Sequence, residues 1–400
     1  MKRNWSILAL SMFICACSFE QASDTNKILI ADVRKAIQTE SLFSMKDDVK
    51  AIEYIPLETR DSCLISNIIS LIADDDYIFL LNGKTSEIFQ FNRRGKFIRQ
   101  VGHAGEGPGE YAPYSIHALS LNHSSKEIFL NRRYQPALVY AYDGTYLRTD
   151  TTFKESIGHR YPLDNGMWVL TGMDFVPKQA SPWLLALQDK EGQLYEAKSV
   201  FPASVSEDFV CMREVHATPF EQSVVAFTPS CDTLFRATTS GIRPICVYNR
   251  ENGTEYYTLI ADARDMQTNK AEKESTIQLF SFFETSRFFY FRAIMKGDPD
   301  KLYFQRLDKQ SGEFLSQSIP QDFIEVSKGF SDSQVIGIPN DLDNGIPFCP
   351  SYVANDKTSM QVINAETIAK LKDKGYLKNA PATLNIDELD NPVVIIYHFR

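Results

Sequence analysis

Residues 89–101 read FQFNRRGKFIRQV. Phe89 and Phe91 stand two apart, the period of a strand, and Phe97-Ile98 restarts an apolar run after a polar turn. Gly95 sits in that turn, where a tight hairpin needs a positive φ angle. The segment therefore spells strand, turn, strand, and it recurs. It returns as VYAYDGTYLRT (139–149), LLALQDKEGQLYEA (184–197), CVYNRENGTEYYTLI (246–260) and YFQRLDKQSGEFLSQ (303–317). The turn glycines Gly95, Gly144, Gly192, Gly253 and Gly312 are separated by 49, 48, 61 and 59 residues. A sixth, weaker copy, FCPSYVANDKTSMQVI (348–363), turns on Asn355-Asp356.

Working outward, further strands precede the hairpins. IISLIA (68–73) and YIFLL (77–81) stand before the first, IHALSL (116–121) and EIFL (127–130) before the second, and RFFYFRAI (287–294) opens the fifth. Three or four short strands per ~50 residues is the arithmetic of a propeller blade. One blade cannot bury both of its faces, whereas a ring of blades can, and 27 Phe and 18 Tyr suit the spaces between sheets. The expected fold is all-β, a six-bladed β-propeller over residues 48–400. DVKAIEYIPL (48–57) and NPVVIIYHF (391–399) are expected to pair within one blade and close the ring, removing two open edges. NAETIAKLKDKG (364–375) has a helical pattern, with Asn364 as cap and Gly375 as stop. Residues 262–276 are polar and read as a loop or short helix between blades.

The length of 400 residues alone suggests two or three domains. The repeat replaces that expectation with a leader, a tether and one ring. Lys2 and Arg3 precede an apolar run from Trp5 to Ala16, too short for the ~20 residues of a membrane span. Ile14-Cys15-Ala16-Cys17 fits a bacterial lipobox, with a branched residue at −3 and a small one at −1. Residues 1–16 then form a lipoprotein signal peptide, and Cys17 takes the lipid. Residues 17–47 form the lipidated N-terminus and tether. The competing reading is an ordinary cleaved secretory signal. Ser18 after the cysteine suits transport to the outer membrane. Several acyl chains hold a protein firmly on a bilayer.

The whole chain carries 42 Lys and Arg against 51 Asp and Glu, a net charge of −9. Loss of residues 1–16 leaves 40 bases against 51 acids, or −11. Such a chain is a poor partner for nucleic acid phosphates. Cys63, Cys211, Cys231, Cys246 and Cys349 follow Cys17. Their odd number leaves at least one thiol free. Cys231 and Cys246 flank a hairpin centred near Thr239, and a disulfide across it stays open as an alternative to two free thiols.

A family resemblance rests on an ordered set of segments. GKFIRQVGHAGEGPGEY (95–111) looks like the inter-blade signature of NHL-like repeats. EYIPLET (53–59), CDTLFRATTSGIRPICVY (231–248), IPNDLDNGIPFCPSY (338–352) and DNPVVIIYHF (390–399) accompany it. Together they resemble the six-bladed β-propeller lipoproteins of Bacteroidetes, over nearly all of the chain after the signal. The resemblance implies a propeller on the cell envelope and no established activity.

No HExxH, Gly-x-Ser-x-Gly or phosphate-loop ending occurs. The run Gly102–Glu110 reads as a blade-to-blade connection, with His103 as a candidate ligand-binding residue on it. Arg132, Arg133 and Tyr134, together with His159, Arg160 and Tyr161, are basic-aromatic groups between strands, suited to a sugar or peptide. No cofactor is required. Calcium is the ion to consider, because six to eight oxygens suit it. Asp74-Asp75-Asp76 and, with more weight, Asn340, Asp341, Asp343 and Asn344 offer such oxygens; a solvated turn is the plainer reading of each. The expected role is non-catalytic binding of a protein, peptide or glycan in the periplasm or at the surface, with the membrane reached through the lipid. The rival is a calcium-dependent hydrolase or lyase of the lactonase-like propeller kind.

Overall fold

The computed structural model describes residues 27–132, 135–152, 158–172, 183–199, 215–228, 231–250, 277–295, 298–327, 337–355 and 357–400. The first elements are β1 (Leu29–Asp32), helix α1 (Val33–Thr39) and β2 (Val49–Pro56). Blade one follows as β3 (Ile68–Ala73), β4 (Tyr77–Asn82), β5 (Ile88–Asn92) and β6 (Phe97–Gln100). Blade two is β7 (Ile116–Asn122), β8 (Glu127–Arg132), β9 (Gln135–Ala141) and β10 (Tyr146–Asp150). Blade three is β11 (Arg160–Pro162), β12 (Trp168–Thr171), β13 (Leu185–Gln188) and β14 (Leu194–Lys198). Blade four is β15 (His216–Phe220), β16 (Ser223–Phe227), β17 (Thr233–Thr238) and β18 (Gly241–Asn249). Blade five is β19 (Ile277–Glu284), β20 (Phe288–Met295), β21 (Asp298–Asp308) and β22 (Phe314–Ser318). Blade six is β23 (Tyr352–Asn355), β24 (Thr358–Ile363) and β25 (Val393–Phe399), completed by β2 on its outer edge. Helices α2 (Gln321–Ser327) and α3 (Ala365–Asp373) lie in connections.

These six sheets form a six-bladed β-propeller. The first strand of each blade is innermost. β3 neighbours β7, β7 neighbours β11, β15 neighbours β19, and β23 neighbours β3. Middle strands are covered on both faces by adjacent blades, so β24 and nearly all of β25 are buried, whereas β6 and β10 at the rim are half exposed. This explains why central strands read as unbroken apolar runs and outer strands do not. The expected closure is present: β2 pairs antiparallel with β25, with Ile52 opposite Tyr397 and Tyr54 opposite Ile395.

The turn chemistry is equally direct. Gly95, Gly144, Gly192 and Gly312 all have positive φ, from +76° to +86°. At the first of these turns Asn92 Oδ1 accepts from the backbone N–H groups of Arg94 (2.9 Å) and Lys96 (3.0 Å). Asp189 and Asp308 play the same part three and four residues before Gly192 and Gly312.

Two expectations are corrected and one open alternative is decided. The hairpin expected over 246–260 is displaced: residues 246–249 end the nine-residue strand β18, its hairpin partner is β17, and Thr238 pairs with Gly241. Gly253 and the 262–276 segment lie outside the described residues. The tether ends earlier than residue 47, because β1 adds in parallel to β18 and extends blade four to five strands. Asp32 caps α1 through the N–H of Lys35, and Val33 and Ala36 on one helical face are buried. Finally, Cys63, Cys231, Cys246 and Cys349 form no disulfide among the described residues. Cys246 stands opposite Leu234, so the hairpin does not set Cys231 against it. Cys211 lies outside the described residues.

Candidate functional site: the central channel

The six innermost strands enclose a cavity of about 840 Å³ along the ring axis. A wall of this kind must be built from strands whose side chains are small toward the axis and apolar toward the blades. Ser70, Ser120 and Ser281 line it, each flanked by apolar residues within its strand. Their hydroxyls are also ties between elements. Ser70 Oγ accepts from the N–H of Leu119 at 3.1 Å, joining blade one to blade two. Ser120 Oγ accepts from Asn131 Nδ2 at 3.0 Å and from the N–H of Arg160 at 3.5 Å, joining blade two to blade three. Ser281 Oγ accepts from Arg292 Nε at 2.5 Å.

Three histidines line the same cavity: His123, His159 and His216. His159 stacks on Tyr161, with ring centres 6.1 Å apart and planes at 22°. Burial, and then the neighbouring His117, push its pKa down to about 4. Burial also lowers that of His123, against the pull of Asp74. These two imidazoles are therefore neutral at pH 7 and present one donor and one acceptor each. His216 lies 6.4 Å from the ring of Phe227. Tyr352 of blade six also lines the wall, and Ile69 stands 48% exposed inside it. The arrangement offers hydrogen bonding and ring contacts on an apolar wall, with little fixed charge.

The residues singled out from sequence fall at different places. His159 lines the channel. Arg160, the next residue, also borders the channel and is 2% exposed. Its Nε donates to Asn131 Oδ1 at 3.1 Å, it forms an ion pair with Asp150, and it lies 4.9 Å over the Phe129 ring. Burial lowers its pKa to about 10, opposed by Asp150. Arg160 is thus a strut between blades two and three. Arg132 ends β8 and gives its Nε–H to the Pro136 carbonyl at 2.8 Å. Arg133, Tyr134 and Cys17 lie outside the described residues. His103 is exposed on the connection from β6 to β7, where its carbonyl accepts from the Tyr111 N–H at 3.2 Å. That connection has the expected backbone, with Gly102 and Gly109 at φ +64° and +81°.

The Asn340–Asn344 turn does not line the channel. Asp343 Oδ1 accepts from Asn340 Nδ2 (2.7 Å), the Gly345 N–H (2.9 Å) and the Tyr54 hydroxyl (3.0 Å). Asn340 Oδ1 accepts from the N–H groups of Leu342 and Asp343, and Asp341 accepts from Ser44. These oxygens close a turn and fasten it to β2. Asp74 Oδ1 likewise accepts from the N–H groups of Asp76 (2.9 Å) and Tyr77 (2.8 Å). Among the described residues no three His, Cys, Asp or Glu side chains gather to hold a metal ion. Of the channel residues, Ser70, Ser120, Ser281, His123 and His216 were missed from sequence, whereas His159 was singled out. Their signal was a single hydroxyl or imidazole inside an apolar innermost strand.

The ring and its polar-lined channel define the class: a six-bladed β-propeller with a ligand-sized axial cavity. The profile of DUF4934, a domain of unknown function, matches residues 28–398, and the chain belongs to that family. No match was found among curated proteins. The fold is similar to a crystal structure of a protein from Bacteroides fragilis described as exported, with 17% identity, TM-score 0.64, and coverage of 94% of this chain and 100% of that one. A DUF4221 family member from Bacteroides vulgatus is similar at 11% identity, with TM-score 0.48 and coverage of 88% and 97%. A virginiamycin B lyase of Staphylococcus aureus is similar at 12% identity, with TM-score 0.41 and coverage of 68% and 75%.

Proposed function

We propose that the protein is an exported, lipid-anchored propeller of the outer membrane that binds a peptide, a glycan or a segment of a partner protein without covalent chemistry. The observation that carries the binding role is the channel. Its volume of about 840 Å³ falls within the ~300–1,000 Å³ range of ligand pockets. Its wall combines apolar surface with a few hydroxyls, tyrosines and neutral imidazoles, the mixture that orients a polar, uncharged ligand. Export is supported by the leader ending at Cys17 and by the description of the Bacteroides fragilis neighbour. The net charge of the chain weighs against a nucleic acid partner.

The test is a thermal-shift and calorimetric screen of the Cys17→Ala protein against peptides and oligosaccharides. A hit should disappear in the Ile69→Arg variant, which places a charge inside the channel, while the melting temperature without ligand stays the same. Binding that survives this substitution places the ligand elsewhere.

A further inference from the structure

The position of β1 bears on how the ring is held at a membrane. β1 is the outermost described strand of blade four and runs parallel to β18, from Leu29 opposite Cys246 to Asp32 opposite Asn249. Its side chains alternate. Leu29 and Ala31 pack into the core between blades four and five. Ile28 and Ile30 face the other way and are 44% and 61% exposed. Lys27 and Lys35 flank them, both exposed, and Arg243 is exposed on the adjoining β18. Two large aliphatic side chains flanked by bases, with Asp32 as the one acid on the same face of β1, stand out on a chain with a net charge of −9.

The distance to Cys17 narrows the choice of occupant. Nine residues lie between Cys17 and Lys27, and the ten steps from one to the other, at ~3.6 Å each, span at most about 36 Å. The start of β1 therefore stays within that distance of the bilayer. We infer that the blade-four rim, through Lys27, Ile28, Ile30 and Lys35, is the surface that rests on the bilayer. The isoleucines enter the headgroup boundary and the lysines meet lipid phosphates, the usual division of labour at a membrane interface. This rests on the reading of Cys17 as the lipidated residue.

The direction of β1 also sets an orientation. Being parallel to β18, it starts toward the end of the ring that carries the Thr238–Gly241 turn. His103, Arg132 and His159 lie toward the opposite end, where each outermost strand passes to the next innermost one. That end, together with blade one across the ring, is held away from the lipid and stays open to solvent.

The experiment uses the lipidated full-length protein reconstituted into vesicles of phosphatidylethanolamine and phosphatidylglycerol. Tryptophan is introduced as Ile30→Trp or, on the far side, as Tyr114→Trp, a position 67% exposed. Each is read for quenching by lipids brominated near the top of the acyl chain, with the signal of the unsubstituted protein subtracted. The expected result is a blue-shifted, quenched signal for Ile30→Trp and an unquenched one for Tyr114→Trp. Omitting phosphatidylglycerol should weaken the quenching. If the protein floats with the vesicles but the two variants behave alike, the rim assignment is overturned and the anchor stands. If the protein does not float at all, both fall.

Discussion

Arg236 of blade four donates from its guanidinium to Glu284 of blade five across 2.6 Å, and the Glu284 side chain is wholly buried. Lys309 reaches the same oxygen at 2.9 Å. One carboxylate therefore neutralises two bases contributed by two blades. Removing it in Glu284→Ala leaves Arg236 and Lys309 together without a counter-charge. We expect a loss of about 3–5 kcal/mol in urea unfolding. A double variant with Arg236→Met should recover part of that loss; strict additivity of the two would refute the coupling.

Glycine positions that look alike in sequence should differ in cost. Gly312 has φ +76° with nothing within 4 Å of an added Cβ, so Gly312→Ala meets backbone strain alone, about 1–2 kcal/mol. Gly95 has φ +77°, and an added Cβ would lie 2.0 Å from the Pro56 carbonyl oxygen. Gly95→Ala should therefore be clearly the more damaging by thermal melting, because β2 must shift to admit it.

Acid should weaken the fold in two stages. His159 titrates near pH 4 when folded and near its ordinary 6.5 when unfolded. Between these values the unfolded chain holds the extra proton, so stability falls as pH drops from 6.5 to 4. His159→Gln should flatten that interval. Below it Asp150 takes over. Burial opposes its charge, but Thr152 and Arg160 hold its pKa below the usual 3.8, so its contribution is lost as pH falls past that value. A wild-type melting profile flat from pH 6.5 to 4 would contradict the first stage.

Ring closure gives a graded pair of variants. Tyr397 donates to Gln361 Oε1 at 2.5 Å, and that oxygen also accepts from the Cys349 N–H at 3.0 Å. Tyr397→Phe leaves it partnered and should cost about 0.5–1.5 kcal/mol. Deleting residues 393–400 removes β25 from between β2 and β24. That protein should fail to give a cooperative melt.

Cys17→Ala should move the protein from the membrane fraction to the soluble envelope fraction. Continued sedimentation with membranes would count against lipidation at this residue.

How far the chain could be read depends on which interactions are local. The hairpins of blades one, two, three and five were legible because Gly95, Gly144, Gly192 and Gly312 act on their own neighbours. Closure was legible because 48–57 and 391–399 are both strand-like and stand at the ends of the repeat. The bracing role of Arg160 was not legible because its partners Asn131 and Asp150 come from another blade, and a basic residue beside an aromatic one looks the same in a strut as in a binding site. β1 was taken for tether because four residues, LIAD, carry no period of their own; only the open edge of β18 makes them a strand. The channel was invisible because residues from six distant strands, Ser70, Ser120 and Ser281 among them, become one wall only when the strands are gathered.

The pairing of β2 with β25 also orders events in time. Val49 leaves the ribosome 350 residues before Phe399, the residue it pairs with. Throughout that interval β2 has no partner, and five blades' worth of chain must be made before its edge is covered. Contacts so distant along the chain form late and slowly. A strand left waiting this long, with Ile52, Tyr54 and Ile55 along it, needs a holding chaperone, or a passage across the membrane that postpones folding until the final residues have arrived.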